Sequence, residues 1–258
     1  MTPASRPSLT AILSALPEEQ HGLLDQLKGA QKQTVAGRDF WRGQLQGQPV
    51  VLGLSRIGKV SATLTAAVLI GHFGASRMVF TGVAGGLAPG VKVGDVVVAH
   101  DFIQHDLDAS PLFPRYEVPL YGRSRFPCDP ALTALLSLAA DSALAASSYA
   151  ASPLLAGAKV HTGLIASGDR FISSATASSR LQAALEVAGH TALAVEMEGA
   201  AVAQVCADYG VAFAAIRTIS DRADDTAHID FPTFVSEVAS LYAQRIMDEL
   251  VRSLPEPA

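Results

Sequence analysis

The sequence predicts an α/β fold in which helices cover both faces of a central sheet. Short apolar segments typical of buried strands alternate with alanine- and leucine-rich segments typical of helices throughout the 258 residues. The strand segments carry apolar side chains at successive positions, as strands covered on both faces do. Neither a low-complexity linker nor an internal repeat divides the chain, so we expect one domain over residues 1–258, with its core at about 9–250 and a short tail at each end.

The N-terminal half is predicted to begin with a buried strand and a helix. An apolar run at Leu9–Ala15 precedes Pro17, which suits the first turn of a helix, and Glu18 and Glu19 suit the positive end of the helix dipole. The further elements predicted here are a hairpin of strands Phe40–Leu45 and Val50–Leu54, a helix over Lys59–Phe73, and strands over Arg77–Thr81 and Val93–Ile103. A glycine loop at 82–86 lets the backbone approach a ligand closely, although its spacing is that of neither a Walker loop nor a dinucleotide fingerprint.

The C-terminal half follows an irregular stretch. Gln104–Pro127 interleaves prolines with aromatic residues, which is typical of an ordered loop or lid. The elements predicted after it are helices over Pro130–Ala146, Ser174–Ala188 and Ala200–Tyr209, a strand over Val160–Ser167, and a last amphipathic helix that Asp230 caps and that ends near Leu254.

Two apolar strands in this half end in carboxylates. Ala192–Ala201, sequence ALAVEMEGAA, carries Glu196 and Glu198 to the start of a helix, and Phe213–Asp221, sequence FAAIRTISD, ends in an aspartate. An ionised carboxylate is costly to bury unless it is paired or hydrogen-bonded. Open α/β sheets also bind their ligands at the carboxyl ends of strands. The pattern therefore predicts a ligand site in which a partly desolvated aspartate holds a proton near neutral pH.

The composition disfavours nucleic-acid and membrane binding. The formal net charge is -5 and no basic stripe is visible. The apolar runs are shorter than the ~20 residues of a membrane span, and no signal peptide is evident, so we expect a cytoplasmic protein. His105, Asp106 and Asp108 lie on one loop without a fourth ligand, which favours a solvated or interface loop over a metal site. Cys128 and Cys206 lack a metal-like spacing, and a disulfide between them stays open.

Six segments together resemble one enzyme family. In chain order they are AILSALPEE, SRIGKVSA, TGVAGGLAPGVKVGDVVV, SGDRFI, AVEMEGAA and RTISDRAD. From about Leu9 to Leu250 the chain resembles the 5'-methylthioadenosine/S-adenosylhomocysteine nucleosidases, within the purine nucleoside phosphorylase and uridine phosphorylase superfamily. The resemblance implies a three-layer α/β/α sandwich around a central twisted mixed sheet, and a homodimer. It also implies hydrolysis of the N-glycosidic bond to adenine and a thioribose product, with no metal or organic cofactor.

The resemblance also implies the roles of single residues. Asp221 acts as the general acid toward N7 of adenine, and Glu19 activates the attacking water, with Arg217 and Glu196 as supports. Phe171 is implied to stack on the purine, and the backbone of Ile172 to contact its edge. Glu198 is implied to bind the ribose hydroxyls, Met197 to lie under the sugar, and Ile57 and Phe231 to surround the 5'-substituent. The remaining implied site residues are Ser220 beside the acid, and Val83, Ala84 and Gly85 of the glycine loop. This division of labour predicts a raised pKa for Asp221 and an ionised Glu19.

Three features depart from the family pattern. Val83 stands where serine is common, Arg56 stands where glycine is common, and Gln104–Arg125 is unlike the usual loop, so Leu112, Phe113 and Tyr116 are candidates for the 5'-substituent pocket. Three alternatives are left open: a phosphate-dependent phosphorylase, a hydrolase of another nucleoside such as aminodeoxyfutalosine, and a non-catalytic nucleoside-binding protein. Arg56 and Arg217 favour the phosphorylase, whereas Glu18 and Glu19 would repel phosphate. An apolar face on Lys59–Phe73 is the candidate dimer surface.

Overall fold

The computed structural model describes residues 8–145, 157–224, 234 and 240–255. The strands are β1 (Thr10–Ser14), β2 (Lys28–Val35), β3 (Arg38–Leu45), β4 (Gln48–Leu54), β5 (Arg77–Gly86), β6 (Val96–Gln104), β7 (Arg125–Pro127), β8 (Val160–Ser167), β9 (Ala192–Glu196) and β10 (Ala212–Asp221). The helices are α1 (Pro17–Gln26), α2 (Lys59–Gly71), α3 (Pro130–Ala145), α4 (Ala175–Val187), α5 (Gly199–Tyr209) and α6 (Ser240–Ser253).

All ten strands belong to one mixed sheet, in the order β10-β6-β8-β9-β5-β1-β4-β3-β2, with β7 paired to β6. β5 also pairs with β10, so part of the sheet closes on itself. On its other edge, β5 pairs with β1 as far as Phe80 and then with β9 at Gly85 and Gly86. The chain therefore leaves β1 and β9 on either side of a gap, and such a gap at strand ends is where α/β folds bind ligands.

Two apolar cores lie on opposite faces of this sheet. On one face, α2 and α5 pack against each other and against the rings of Phe80 and Phe102. On the other face, α1 and α3 both contact α6, whose buried side chains include Tyr242 and Leu250. Helices on both faces of a mixed sheet make three layers, which confirms the predicted sandwich.

Several element boundaries differ from the prediction. β2 was not predicted, because its sequence KGAQKQTV is polar and it lies almost wholly exposed at the sheet edge. β5 continues through the predicted glycine loop to Gly86, because β10 and β9 pair with that segment. β6 starts at Val96 instead of Val93, after a turn in which Asp95 Oδ2 accepts a hydrogen bond from Lys92 N. β7 lies at the end of the predicted loop. The predicted cap Asp230 lies outside the described residues.

Candidate active site

A cavity of about 430 Å³ opens where β1, β5, β9 and β10 end. Its lining residues are Ala15, Leu16, Glu19, Ile57, Val83, Ala84, Gly85, Phe171, Val195, Glu196, Met197, Glu198, Ser220 and Asp221. Of the site residues predicted from the sequence that the structure describes, all but Ile172 and Arg217 line this cavity, and the pocket candidates Leu112, Phe113 and Tyr116 do not line it. Sequence reasoning missed Ala15, Leu16 and Val195, whose only signal is their position beside predicted site residues in the chain.

Glu19 is held in the cavity wall by backbone donors. It lies in the first turn of α1 and is 1% exposed. Its Oε2 accepts hydrogen bonds from Ala15 N at 2.7 Å and Leu16 N at 2.9 Å, and its Oε1 accepts one from Val83 N at 3.1 Å. Burial raises the pKa of Glu19, whereas the Leu16 N–H and then the charge of Arg217 act in the opposite direction. Because these donors favour the charged form and burial opposes it, the ionised Glu19 expected from the sequence stays a prediction.

Asp221 ends β10 at a bulge in its pairing with β5, and it is 1% exposed. Such an irregularity re-aims a side chain at the rim of a sheet. Asp221 Oδ2 accepts a hydrogen bond from Ser220 Oγ at 2.8 Å, and Oδ1 accepts one from Ala223 N at 2.8 Å. A Cβ added at Gly85 would lie 2.9 Å from Asp221 Oδ1, so the loop needs glycine at this close approach. The raised pKa expected for Asp221 stays a prediction.

Glu196 and Arg217 form a buried ion pair, with Arg217 Nη2 2.8 Å from Glu196 Oε2. Glu196 also accepts hydrogen bonds from Ser167 Oγ, Gly199 N and Glu198 N. Arg217 is 1% exposed, and its Nη1 donates to Phe80 O at 3.1 Å and to Ile216 O at 3.0 Å. The guanidinium also lies over the Phe80 ring, 4.0 Å from its centroid. Arg217 thus lies behind the residues that line the cavity, and its implied role as a support stays a prediction.

Glu198 lines the cavity from the N-terminus of α5, and it is 5% exposed. Its Oε1 accepts a hydrogen bond from Gly58 N at 2.7 Å. Gly58 has a φ of 95°, a conformation that only glycine adopts readily, so the sequence Ile57-Gly58 sets the position of this donor. Burial first, and then the charge of Glu196, raise the pKa of Glu198. The two carboxylates therefore differ in environment although only Met197 separates them.

Apolar side chains form the remaining walls. Phe171 is 44% exposed and Ile57 is 57% exposed, and both line the cavity. Ile172 is buried and lines a small adjoining recess together with Phe171 and Asp221. Phe231 lies outside the described residues. The cavity thus combines an apolar rim with carboxylates deeper in its wall, which is a typical arrangement for binding a small organic molecule.

Asp106 and Asp108 of the loop noted in the sequence have hydrogen-bond partners within the protein, whereas the Nε2 of His105 is buried and has none among the described residues. Asp106 accepts hydrogen bonds from Lys59 Nζ at 2.6 Å and from Asp169 N at 2.8 Å. Asp108 accepts hydrogen bonds from Ser110 N and Oγ. Within the described ranges, no group of three or more His, Cys, Asp or Glu side chains is arranged to hold a metal ion. Cys128 and Cys206 are both free and buried, which answers the question of a disulfide.

Comparison with known proteins gives the family. The sequence model of the phosphorylase superfamily matches residues 10–252. The chain belongs to the phosphorylase superfamily. A 5'-methylthioadenosine/S-adenosylhomocysteine nucleosidase of Mycobacterium bovis is 37% identical over 254 residues, which cover 95% of this chain and 96% of that protein. These findings confirm the resemblance read from the six sequence segments.

Solved structures of phosphorylase superfamily members share the fold. The nucleosidase of Neisseria meningitidis, in complex with methylthio-immucillin-A, has a TM-score of 0.85 and 33% identity, with 96% of this chain and 100% of that chain covered. A futalosine hydrolase mutant of Helicobacter pylori has a TM-score of 0.83 and 30% identity, with the same 96% and 100% covered. Two substrate classes are thus represented among the similar folds.

Proposed function

We propose that this chain hydrolyses the N-glycosidic bond of 5'-methylthioadenosine, S-adenosylhomocysteine or both, releasing adenine and the thioribose product. One observation carries the proposal: Glu19 and Asp221 line the same cavity, although they lie at opposite ends of the chain. Glycosidic hydrolysis needs one group that protonates the leaving group and one carboxylate that activates water on the other face of the sugar. The relatives that match nearly the whole chain are named for this activity.

Asp221 is the proposed general acid. It gives its proton to N7 of adenine while the C1'–N9 bond breaks and the bonding electrons pass to the base, so adenine leaves as a neutral molecule. The hydrogen bonds from Ser220 Oγ and Ala223 N keep the carboxyl group in one orientation at the end of β10. Gly85 lets the backbone of β5 pass close to this carboxyl group, because a Cβ at that position would lie 2.9 Å from Asp221 Oδ1.

Glu19 is the proposed general base. A water molecule adds to C1' as the sugar gains oxocarbenium character, and Glu19 accepts the proton that this water loses. Three backbone N–H groups hold the carboxylate, and they also favour its charged form. The product is then a free thioribose, with adenine released separately.

The nucleoside is bound by the remaining cavity walls. The Glu198 carboxylate accepts hydrogen bonds from ribose hydroxyls, with its other contact to Gly58 N fixing its direction. The ring of Phe171 stacks on the purine, a contact worth on the order of 1–3 kcal/mol per base in nucleic-acid complexes. Ile57 and Met197 pack against the sugar and the 5'-substituent.

Water is favoured over phosphate as the nucleophile. Phosphorolysis needs cationic side chains that face the substrate, whereas the Arg217 guanidinium donates hydrogen bonds to Glu196, Phe80 O and Ile216 O behind the cavity. Arg56 donates to Gly37 O and does not line the cavity. Glu19 in the wall would also repel a phosphate anion. These contacts support hydrolysis over the phosphorylase alternative.

A futalosine-type nucleoside is the second candidate substrate. The likeness to a futalosine hydrolase at 30% identity supports it, because the shared fold accepts more than one 5'-substituent. The segment Gln104–Arg125, where the chain departs from the family pattern, carries the exposed side chains of Leu112 and Leu120. These two side chains are available to a larger substituent or to a second subunit.

We also propose a cytoplasmic homodimer built from one domain. Ile57, two residues before α2, is 57% exposed, and Val60 and Leu64 within α2 are 82% and 41% exposed. Contiguous exposed apolar side chains of this kind mark protein interfaces. In the described part of the chain, no helix has the length and apolar character to cross a membrane.

A nucleoside panel tests the proposed function. Adenine release is measured from methylthioadenosine, adenosylhomocysteine and aminodeoxyfutalosine, each with and without phosphate, and the sugar product is identified by mass. We expect release without phosphate and a free sugar as the product. Strict phosphate dependence with a sugar 1-phosphate product would establish a phosphorylase instead. Preference for aminodeoxyfutalosine would replace the substrate but keep the reaction.

A further inference from the structure

A second cavity of about 290 Å³ lies beside the active site, between the first turn of α1 and strand β3. The residues that matter in its wall are Gln20, Arg38, Asp39, Trp41 and Arg56. Two of them adjoin the main cavity along the chain, since Gln20 follows the proposed base and Arg56 precedes Ile57. The proposed reaction makes no use of this second cavity.

Arg38 is a buried cation with too few partners. It is 7% exposed, and its Nη1 donates to Ser55 O at 3.1 Å. Its Nε is buried and has no hydrogen-bond partner among the described residues, and no carboxylate in that part of the chain forms an ion pair with it. A buried charge without a counterion is strongly unfavourable. Burial and the neighbouring charge of Arg56 both lower the pKa of Arg38, so the two guanidinium groups lie close enough to repel each other.

Gln20 adds a second buried donor without a partner. It is 6% exposed, and its Nε2 has no hydrogen-bond partner in the described structure. Buried polar groups in folded proteins nearly always have a partner, which is sometimes a ligand or an ion. The one carboxylate among the lining residues, Asp39, is already bound to Lys32 Nζ and Thr34 Oγ1, each at 2.6 Å. The cavity is therefore rich in unused donors and poor in available acceptors.

We infer that this cavity is a binding site for a phosphate-type oxyanion, carried free or as a small organic phosphate ester. Arg38 Nε and Gln20 Nε2 would donate to its oxygens, and the charges of Arg38 and Arg56 would be neutralised by it. Charge-assisted hydrogen bonds of this kind are the strong class, and arginine matches phosphate geometry well. Trp41, partly buried at the rim, supplies an apolar wall suited to the organic part of an ester.

The site is connected to the active site through the turn at 55–58. Arg38 holds Ser55 O, Arg56 has a φ of 60°, and Gly58 N holds the carboxylate of Glu198. A left-handed backbone is less favourable for arginine than for glycine, so the turn at position 56 has a conformation that a bound ligand could stabilise. An oxyanion that binds both arginines would fix this turn, and with it the donor to Glu198.

Calorimetric titration with sodium sulfate tests the inference on the whole chain without nucleoside. Sulfate is the probe because it has the shape of phosphate and takes no part in phosphorolysis, and sodium chloride keeps the ionic strength constant. We expect saturable one-site binding to the native chain. In Arg56→Gly we expect roughly tenfold weaker binding, because one charged hydrogen-bonding group is lost. Glycine accepts the backbone conformation at position 56, so this variant is expected to fold.

Matched variants locate the anion. Gln20→Leu is expected to weaken sulfate binding while keeping both arginines. Arg42→Gln, on the same strand but exposed and outside the cavity, is expected to leave it unchanged. Glu19→Gln is expected to leave it unchanged as well. Equal sulfate affinity in the native chain and Arg56→Gly would overturn the inference. A sulfate affinity that changes only in Glu19→Gln would also overturn it, because sulfate would then bind in the main cavity.

Titrations with inorganic phosphate and phenyl phosphate then separate the two sources of the anion. Tighter binding of phenyl phosphate that is lost in Trp41→Ala assigns the site to an organic ester, whereas equal affinity assigns it to the free anion. The absence of binding by both probes, in a chain whose thermal unfolding is normal, would refute the site. Because no nucleoside is present, this result is independent of whether the chain is a nucleosidase.

Discussion

Glu196 and Asp221 are both buried carboxylates at strand ends, but they differ in the groups that surround them. Glu196 is bound by a guanidinium, a hydroxyl and two backbone N–H groups. Asp221 accepts hydrogen bonds from Ser220 Oγ and Ala223 N, and both carboxylates line the same cavity. Glu196 is thus bound to the scaffold through Arg217, whereas Asp221 is proposed to exchange a proton with a substrate.

The same contrast separates two buried arginines. Arg217 has a carboxylate, two carbonyl oxygens and an aromatic face as partners. Arg38 has one carbonyl oxygen and an unpaired Nε. Arg217 is therefore bound into the scaffold, whereas Arg38 has an unpaired Nε beside the second cavity.

The largest effect is expected from Asp221→Asn. The amide keeps the size of the side chain but cannot protonate N7, so turnover should fall by as much as about 10⁴-fold, the upper range for a general acid. Substrate binding, measured by calorimetry, should persist. Asp95→Asn is the matched control, because Asp95 is 3% exposed and accepts from Lys92 N and Lys159 N outside the cavity. Near-native turnover in Asp221→Asn would remove Asp221 as the acid.

Arg217→Met should instead reduce stability. Removing one partner of a buried ion pair leaves Glu196 uncompensated, which costs about 3–5 kcal/mol. Urea unfolding measures the loss, and a double-mutant cycle with Glu196→Gln isolates the coupling between the two side chains. The double variant should lose less than the sum of the single losses. Full stability in Arg217→Met would contradict the scaffold role. Asp221→Asn serves as the reference, because its free energy of unfolding is expected to equal that of the native chain.

The sequence predicted the fold class and most of the cavity, and its misses have physical causes. The apolar strands and the carboxylates that follow them were visible because burial leaves an apolar pattern with polar ends. β2 was missed because an exposed edge strand has no such pattern. The resemblance implied that Arg217 is a support, but the sequence does not show that its side chain turns back to Phe80 O.

The second cavity was also invisible in the sequence. Gln20, Arg38 and Arg56 come from three separate segments, and only the pairing of β3 with β4 and the packing of α1 bring them together. An unpaired donor can be recognised only when all its neighbours are known. Arg56 was nevertheless noted as a departure from the family pattern, and the positive φ at that position explains why glycine is common there.

The smallest expected effect is on the pH dependence of kcat/KM, which tests whether Glu19 is a buried carboxylate that takes part in the reaction. Burial raises its pKa above the ordinary value of 4.5. Glu19 accepts a proton from water only when it is ionised, so activity is lost as the pH falls through this raised pKa, and the acid limb of kcat/KM should lie above pH 4.5. In Glu19→Ala, added formate can replace the missing carboxylate, and the acid limb of kcat/KM should then move to the pKa of formate. Glu18→Gln is the control, because Glu18 is exposed and its substitution should leave the native pH profile unchanged. An acid limb that persists unchanged in Glu19→Ala would assign it to another group, with Glu198 the next candidate because its pKa is also raised by burial.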